Sequence, residues 1–204
     1  MEVTIAKLEA PEDYDRLKSL YKEYYDSVPV GPMFGITTWR SVEPIYSPDG
    51  FIIVAEDGHG NIIGFAASRV HATATFTGEP DYSPEQLELE EFLDFITSKE
   101  QLDKLPQRWT KLQELLVTEE WRGRGVARRL VERSMQEAKA AGFRALTMRC
   151  VNEYTARLAR SLGWKEHYRL AYSDYPRLSG RTVKLIPNPP HEHVTCYYTE
   201  LTGD

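Results

Sequence analysis

The strongest constraint on this fold is a stretch in which a strand, a glycine turn, a helix and a second strand follow one another. Residues 111–117 predict a β-strand, and the turn 122–125 leads into a helical pattern over 126–138. Gly142 then provides a helix stop, and residues 145–150 predict the next strand. Because a strand–helix–strand connection within one sheet is a right-handed crossover, this stretch predicts a locally parallel sheet.

The remaining elements predict a mixed sheet with flanking helices, in one domain over residues 1–204 and of the α/β (α+β) class. Further strands are predicted at 51–55, 62–67, 168–172, 182–186 and 193–201. Helices are predicted at 12–26, in one or two pieces within the acidic segment 79–105, and after the cap at Asn152 as far as Gly163.

Composition excludes several classes of protein. Hydrophobic residues are 41% and charged residues 27% of 204, as in an ordinary globular protein. No apolar run approaches the roughly 18 residues of a membrane span, and the first ten residues lack the apolar core of a signal peptide. Two cysteines, Cys150 and Cys196, do not make a disulfide framework. We therefore expect a cytoplasmic protein without a membrane partner.

Charge is unevenly distributed along the chain. The net charge of −6 argues against a nucleic-acid partner. Residues 1–102 hold 7 Lys and Arg against 19 Asp and Glu, whereas residues 103–204 hold 18 against 12. This asymmetry has two interpretations: ordinary surface solvation, or an anionic ligand on the second half with a cationic ligand facing the first.

The glycine turn has the chemistry of a phosphate site. It precedes the clearest helix of the chain, so backbone N–H groups at the positive end of the helix dipole are available to an anion. Gly123 and Gly125 remove side chains that would keep a ligand from the backbone. Positive charge is added by Arg122, Arg124, Arg128 and Arg129. The turn therefore predicts a site for a phosphate or pyrophosphate.

Other common motifs are absent from the sequence. No Gly-Lys-Ser/Thr follows the turn, and Arg128 stands where a dinucleotide fingerprint needs glycine. There is no G-x-S-x-G elbow. His191 and His193 stand two residues apart beside prolines, which is not the spacing of a structural zinc site, so we expect no metal.

The turn resembles a known signature. Arg122-x-x-Gly125-x-Ala127 is similar to the acetyl-CoA pyrophosphate motif of the GCN5-related N-acetyltransferase (GNAT) superfamily. The arylalkylamine N-acetyltransferase-like branch, of the insect dopamine-acetylating type, is more similar still. Its features resemble three stretches of this chain, at 150–157, 168–175 and 189–191.

The resemblance implies the fold and the co-substrate. It implies a sheet of about seven strands that is splayed between strands four and five by a bulge. Strand four would be 111–117, and acetyl-CoA would lie along it without any metal. The implied contacts of acetyl-CoA are the backbone of Leu115, Leu116 and Val117, the turn from Arg122 through Gly123, Arg124, Gly125 and Val126 to Ala127, and Asn152.

The resemblance leaves the catalytic groups open. An amine with a pKa near ~10 is mostly protonated at neutral pH, so a base must remove a proton before it can attack a thioester. The branch places a glutamate where this chain has Val28. The remaining options are Asp26, Glu114 or a water molecule. Thr155 keeps a hydroxyl of the branch, and Tyr154 could replace the family's tyrosine acid, although a core position suits it better.

The implied acceptor is a small primary amine with an aromatic or alkyl body. Candidate walls of its site are Tyr24, Tyr25, Phe34, Trp39, Tyr172 and Tyr175. Two alternatives remain, namely an acetyltransferase with a peptide or lysine acceptor and a catalytically decayed module that binds acetyl-CoA. We expect a monomer or a weak homodimer.

Overall fold

The computed structural model describes residues 2–9, 15–40, 50–70, 81–100, 102–186 and 188–201. Within these residues one seven-stranded sheet is flanked by six α-helices. The strands are Val3–Lys7 (β1), Phe51–Asp57 (β2), Ile62–Arg69 (β3), Trp109–Val117 (β4), Ala145–Cys150 (β5), Lys165–Ala171 (β6) and His193–Glu200 (β7). The helices are Lys18–Ser27 (α1), Val30–Met33 (α2), Pro84–Lys99 (α3), Val126–Ala140 (α4), Glu153–Ser161 (α5) and Tyr175–Ser179 (α6).

The sheet is mixed, as the sequence predicts. Its strand order is β1-β2-β3-β4-β5-β7-β6, and every pair is antiparallel except β4 and β5. Helix α4 connects that parallel pair, which confirms the predicted crossover. Its apolar face packs on the sheet through Val126, Leu130 and Val131.

The other face of the sheet carries α1 and α3. Tyr21 of α1, and Leu17 directly before this helix, lie in one apolar cluster with Phe65 of β3. Helix α3 begins at a capping box, in which the Ser83 hydroxyl accepts from the Gln86 backbone and the Gln86 side chain accepts from Ser83. These helices stand over the region where β4 and β5 separate.

A bulge in β4 determines which side chains face those helices. Ala67 is opposite Glu114 but Ser68 is opposite Leu112, so Gln113 is an extra residue on β4. From this point on, the bulge reverses which side chains of the strand point to each face of the sheet. As a result, Lys111 and Glu114, three positions apart, face the same cavity.

Strands β4 and β5 separate directly after this point. Their pairing runs only from Trp109 opposite Ala145 to Leu112 opposite Met148. Beyond Leu112, β4 continues on β3 alone and β5 continues on β7 alone. The structure therefore confirms the predicted splay, and we call this gap the fork.

Some predicted elements and boundaries were wrong. The segment 182–186 forms no strand, because its backbone lies along α2 and Ile186 N donates to Met33 O at 2.8 Å; β1 is the seventh strand instead. Helix α1 begins at Lys18 after a 3-10 turn over 15–17, and the earlier part of that prediction lies outside the described residues. Strand β6 begins three residues earlier than predicted. The described part of segment 79–105 holds one α-helix and a short 3-10 turn, which agrees with the prediction of one or two helices there. None of the described helices combines the length and the apolar character needed to cross a membrane.

Candidate active site

The glycine turn presents an open start of helix α4. Gly123 and Gly125 have φ values of +72° and +78°, in the left-handed region that favours glycine. Gly125 is the N-cap residue, and no side chain caps the first N–H groups of the helix. A Cβ atom built at either glycine would meet no described atom within 4 Å. The turn therefore offers free donors next to open space, which suits a pyrophosphate.

The arginines around the turn hold it in place and also surround it with positive charge. Arg122 Nε donates to Val117 O at 3.0 Å, so it fixes the turn to the end of β4. Arg128 and Arg129 donate to Ser161 Oγ at 2.9 Å and to Val3 O at 2.8 Å, and Arg124 lies over the Trp121 ring at 5.3 Å. These contacts orient the positive charge around the helix start.

A cavity of about 280 Å³ opens at the fork. Helices α1 and α3 cover it, and β3, β4 and β5 form its floor. Its lining combines aromatic and apolar side chains with six charged ones. The charged residues are Arg69, Glu90, Asp94, Lys111, Glu114 and Arg149. A concave site with a few converging polar groups is the usual form of a small-molecule site.

Three of the predicted aromatic walls line this cavity. Tyr24, Tyr25 and Trp39 form one continuous surface, with ring centroids 5.2 Å apart for Tyr24 and Tyr25 and 4.9 Å apart for Tyr25 and Trp39. Val28, at the branch's glutamate position, also lines the cavity and is apolar there. Position 28 thus lies in the site but lacks the negative charge of the branch's glutamate.

The other three predicted walls lie elsewhere. Phe34, Tyr172 and Tyr175 are buried around Phe92 of α3, with centroids at 5.2, 5.6 and 4.9 Å from its ring. This second aromatic cluster packs α3 and α6 onto the sheet. The structure therefore brings together only half of the aromatic residues that the sequence predicts at the acceptor site.

Glu114 is a buried carboxylate on the cavity floor. One of its oxygens, Oε1, pairs with Arg69 of β3, while Oε2 has no hydrogen-bond partner in the described structure. Burial raises the pKa of the Glu114 carboxyl, and the Arg69 charge opposes that shift. A poorly solvated carboxylate with a free oxygen is equipped to accept a proton. The sequence analysis did not single out Arg69. The feature that could have pointed to it is its position as the single cation at the end of an otherwise apolar strand.

A second buried charge cluster, which the sequence analysis missed, lies beside it. Glu100 Oε1 accepts from Arg149 Nε at 2.9 Å, and the Cys196 thiol donates to the same oxygen at 2.8 Å. Lys111 Nζ stands 3.9 Å from Glu100 Oε2. Arg149 also donates to Thr97 Oγ1 at 2.6 Å.

The charged groups of this cluster shift one another's pKa values. Burial alone would raise the pKa of Glu100, but Lys111 and Arg149 outweigh it and lower the pKa to about 2. Burial, with the Arg149 charge, lowers the pKa of Lys111 to about 8. Glu100 is therefore a carboxylate at neutral pH, shared between two cations.

Asp26 lies outside the cavity. It is exposed, pairs with Lys22 at 2.5 Å across one helical turn, and lines a shallow surface groove of about 390 Å³ together with Glu119 and Arg122. This groove runs from the end of α1 toward the glycine turn. The structure thus separates Asp26 from Glu114, the other predicted base.

The predicted residues at the start of α5 form a helix cap. Asn152 Oδ1 accepts from Thr155 N at 2.9 Å, and Thr155 Oγ1 donates to Asn152 O at 3.1 Å. Tyr154 is 62% exposed and packs edge-on against His191 at 5.0 Å, so its expected core position is wrong. Cys150 is fully buried, and burial raises its pKa to about 12. None of these side chains lines the cavity.

Comparison with known proteins identifies the family. Residues 14–164 match the acetyltransferase (GNAT) family. The chain belongs to the GNAT family. It is therefore an acyltransferase of a family whose co-substrate is acetyl-CoA.

Solved structures share the whole fold at low identity. Arylalkylamine N-acetyltransferase 2 from Aedes aegypti is 19% identical with a TM-score of 0.72, over 99% of this chain and 100% of that chain. Polyamine N-acetyltransferase from Drosophila melanogaster is 18% identical with a TM-score of 0.66, over 98% and 100%. An agmatine N-acetyltransferase is 22% identical with a TM-score of 0.68, also over 98% and 100%. These likenesses confirm the GNAT fold predicted from the sequence.

Proposed function

We propose that this protein acetylates the primary amine of a small molecule bound in the cavity at the fork. The observation that carries the proposal is the position of Glu114. Its carboxylate lies on the floor of an aromatic-walled cavity, and its Oε2 atom is unpartnered. That atom is the one described carboxylate oxygen of the cavity floor that is both buried and free of a partner.

The glycine turn and β4 fit acetyl-CoA. The free N–H groups after Gly125 would hold the pyrophosphate, and the open space at Gly123 admits it. The backbone of Leu115, Leu116 and Val117, beyond the last β4–β5 pair, would hold the pantetheine arm. When bound, acetyl-CoA supplies the acetyl group as a reactive thioester.

Glu114 would prepare the acceptor. An amine enters mostly as ammonium, which has no lone pair for attack. Glu114 Oε2 would take that proton, and burial favours the transfer because it raises the pKa of the carboxyl. Arg69 would hold Oε1 and keep the carboxylate oriented. Asp26 is less suited to this role, because it is solvated and lies outside the cavity.

The cavity favours a small acceptor over a peptide. Its volume of about 280 Å³ is at the small end of ligand sites, and Tyr24, Tyr25 and Trp39 cover it. Several solved structures of similar fold are, by name, enzymes of arylalkylamines, agmatine or polyamines. A primary amine with a compact body, such as an arylalkylamine, is therefore the proposed substrate class.

The test is release of free thiol from acetyl-CoA, measured with a panel of amines and with lysine-containing peptides. We expect turnover with small primary amines and little with peptides. Turnover with peptides alone would assign the enzyme to a protein acceptor. Binding of acetyl-CoA without turnover on any acceptor would support a module that has lost its chemistry.

A further inference from the structure

Lys111 presents a buried ammonium group to the cavity with little to balance it. Its side chain is only 8% exposed, yet it lines the cavity. In the described part of the chain Nζ of Lys111 forms no hydrogen bond, and the nearest carboxylate oxygen is Glu100 Oε2 at 3.9 Å. A buried ammonium without hydrogen-bonded partners is costly, so its position on a ligand cavity calls for an explanation.

The charges around the cavity floor leave one cation in excess. Glu114 pairs with Arg69, and Glu100 pairs with Arg149 through a hydrogen bond of 2.9 Å. Lys111 shares Glu100 at a longer distance and has no carboxylate of its own. The described floor therefore has a net charge of +1 beside the free oxygen of Glu114.

We propose that this floor is a carboxylate subsite, and that the acceptors of the enzyme are small molecules carrying both a primary amine and a carboxylate, which are amino acids. This rests on the proposed function and narrows its substrate class. Lys111 would donate to the carboxylate of the acceptor, with Arg149 on the same wall adding charge. The amine of the same molecule would face Glu114.

The bulge in β4 makes this arrangement possible. In a regular strand, residues three apart point to opposite faces. The extra residue Gln113 returns Lys111 and Glu114 to one face, so the cation and the base both meet one bound molecule. The floor then matches a zwitterion, with its negative group at Lys111 and its amine at Glu114.

Two carboxylates at the rim carry negative charge, opposite in sign to the net charge of the floor. Glu90 and Asp94 lie one turn apart on α3, line the cavity mouth and are exposed. They attract the ammonium end of any amine, with or without a carboxylate. Discrimination between the two kinds of amine therefore depends on the floor.

The charge state of Lys111 fits this role. The groups that act on it are Arg149, which lowers its pKa, and Glu100, Cys196 and Glu114, which raise it; His167 faces the same cluster. Burial lowers the pKa of Lys111 to about 8, so it is mostly protonated at pH 7. A bound carboxylate stabilises that proton, so recognition of the anion weakens above pH 8.

The test compares matched acceptors: tyramine with tyrosine, and 2-phenylethylamine with phenylalanine. In the wild type we expect kcat/KM to be about tenfold or more higher for the amino acid of each pair, since hydrogen bonds to charged groups are worth that much. Lys111→Met should abolish the preference, Lys111→Arg should retain most of it, and Lys104→Met, which removes an exposed lysine, should not change it.

A second measurement does not depend on any variant. 3-Phenylpropionate, which has the carboxylate but no amine, should inhibit the wild type competitively against the acceptor. The inference is overturned if amines without a carboxylate react equally well or better. It is also overturned if Lys111→Met lowers kcat/KM by the same factor for both members of a pair. If no member of either pair is acetylated, and no other amine is, the proposed function fails instead.

Discussion

Gly31 lies directly against the indole ring of Trp39. A Cβ atom at position 31 would come within 2.7 Å of Cζ2 of Trp39, a separation that such atoms do not tolerate. The glycine therefore lets the short helix α2 approach the indole closely. Trp39 in turn packs on Tyr25 at 4.9 Å and completes the aromatic surface of the cavity.

Gly31→Ala should displace Trp39 and enlarge the mouth of the cavity. We expect the KM for the acceptor amine to rise several-fold while the affinity for acetyl-CoA is unchanged, because the glycine turn lies at a separate site. Steady-state kinetics at saturating acetyl-CoA measures this. Gly58→Ala, whose Cβ meets no described atom within 4 Å, is the matched control. An unchanged acceptor KM in Gly31→Ala would remove Trp39 from the acceptor site.

Gly125→Asp should abolish binding of acetyl-CoA. The change places a carboxylate at the helix start where the pyrophosphate needs free N–H groups. Titration calorimetry with acetyl-CoA measures the loss. Gly180→Asp carries the same backbone strain, since its φ is +70° and its Cβ also meets open space, and it should bind normally. Wild-type affinity in a folded Gly125→Asp would disprove the assignment of the turn.

Glu100→Gln should destabilise the fold strongly. Arg149 and Lys111 would be left as buried cations without a counter-charge, which typically costs about 3–5 kcal/mol. Urea unfolding measures the change in free energy. Glu200→Gln breaks the exposed pair with Lys165 and should cost less than about 1 kcal/mol. Similar losses in both variants would mean that the Glu100 cluster is not a buried network.

Lys111 should make the free energy of unfolding depend on pH in the alkaline range. Its pKa is lowered from 10.5 to about 8 in the folded protein, so the unfolded chain binds more protons between pH 8 and 10.5. Stability from this group therefore rises as pH increases through that window. We expect Lys111→Met to be more stable than the wild type at pH 7, and the difference to shrink toward pH 10. A difference that does not vary with pH would contradict the depressed pKa.

Local patterns in the sequence predicted the parts of the fold that local physics determines. The helix α4, its glycine start and the cap at Asn152 depend on residues adjacent in sequence, and each is present in the structure. The strand expected at 182–186 failed because its end bonds to α2, where Ile186 N donates to Met33 O, and not to a neighbouring strand. Strand propensity does not distinguish these two partners.

The charged floor of the site could not be predicted in this way. Glu100, Lys111 and Arg149 come from the end of α3, from β4 and from β5, and only the register of the sheet and the position of α3 bring them together. The bulge at Gln113 also reverses the face of Glu114, which local sequence patterns offered only as one of several possible bases. Aromatic composition likewise could not separate Trp39, at the cavity, from Phe34, in the core.

We propose above that Glu114 is the base of an amine acetyltransferase. The most direct measurement is the pH profile of kcat/KM for the preferred amine in Glu114→Gln, with Asp26→Asn as the matched control on the exposed helix α1. We expect kcat/KM to fall about 10²-fold or more in Glu114→Gln, with acetyl-CoA affinity intact and the acidic limb of the profile lost. Asp26→Asn should keep near wild-type kinetics. Wild-type turnover and an unchanged profile in Glu114→Gln would contradict this proposal.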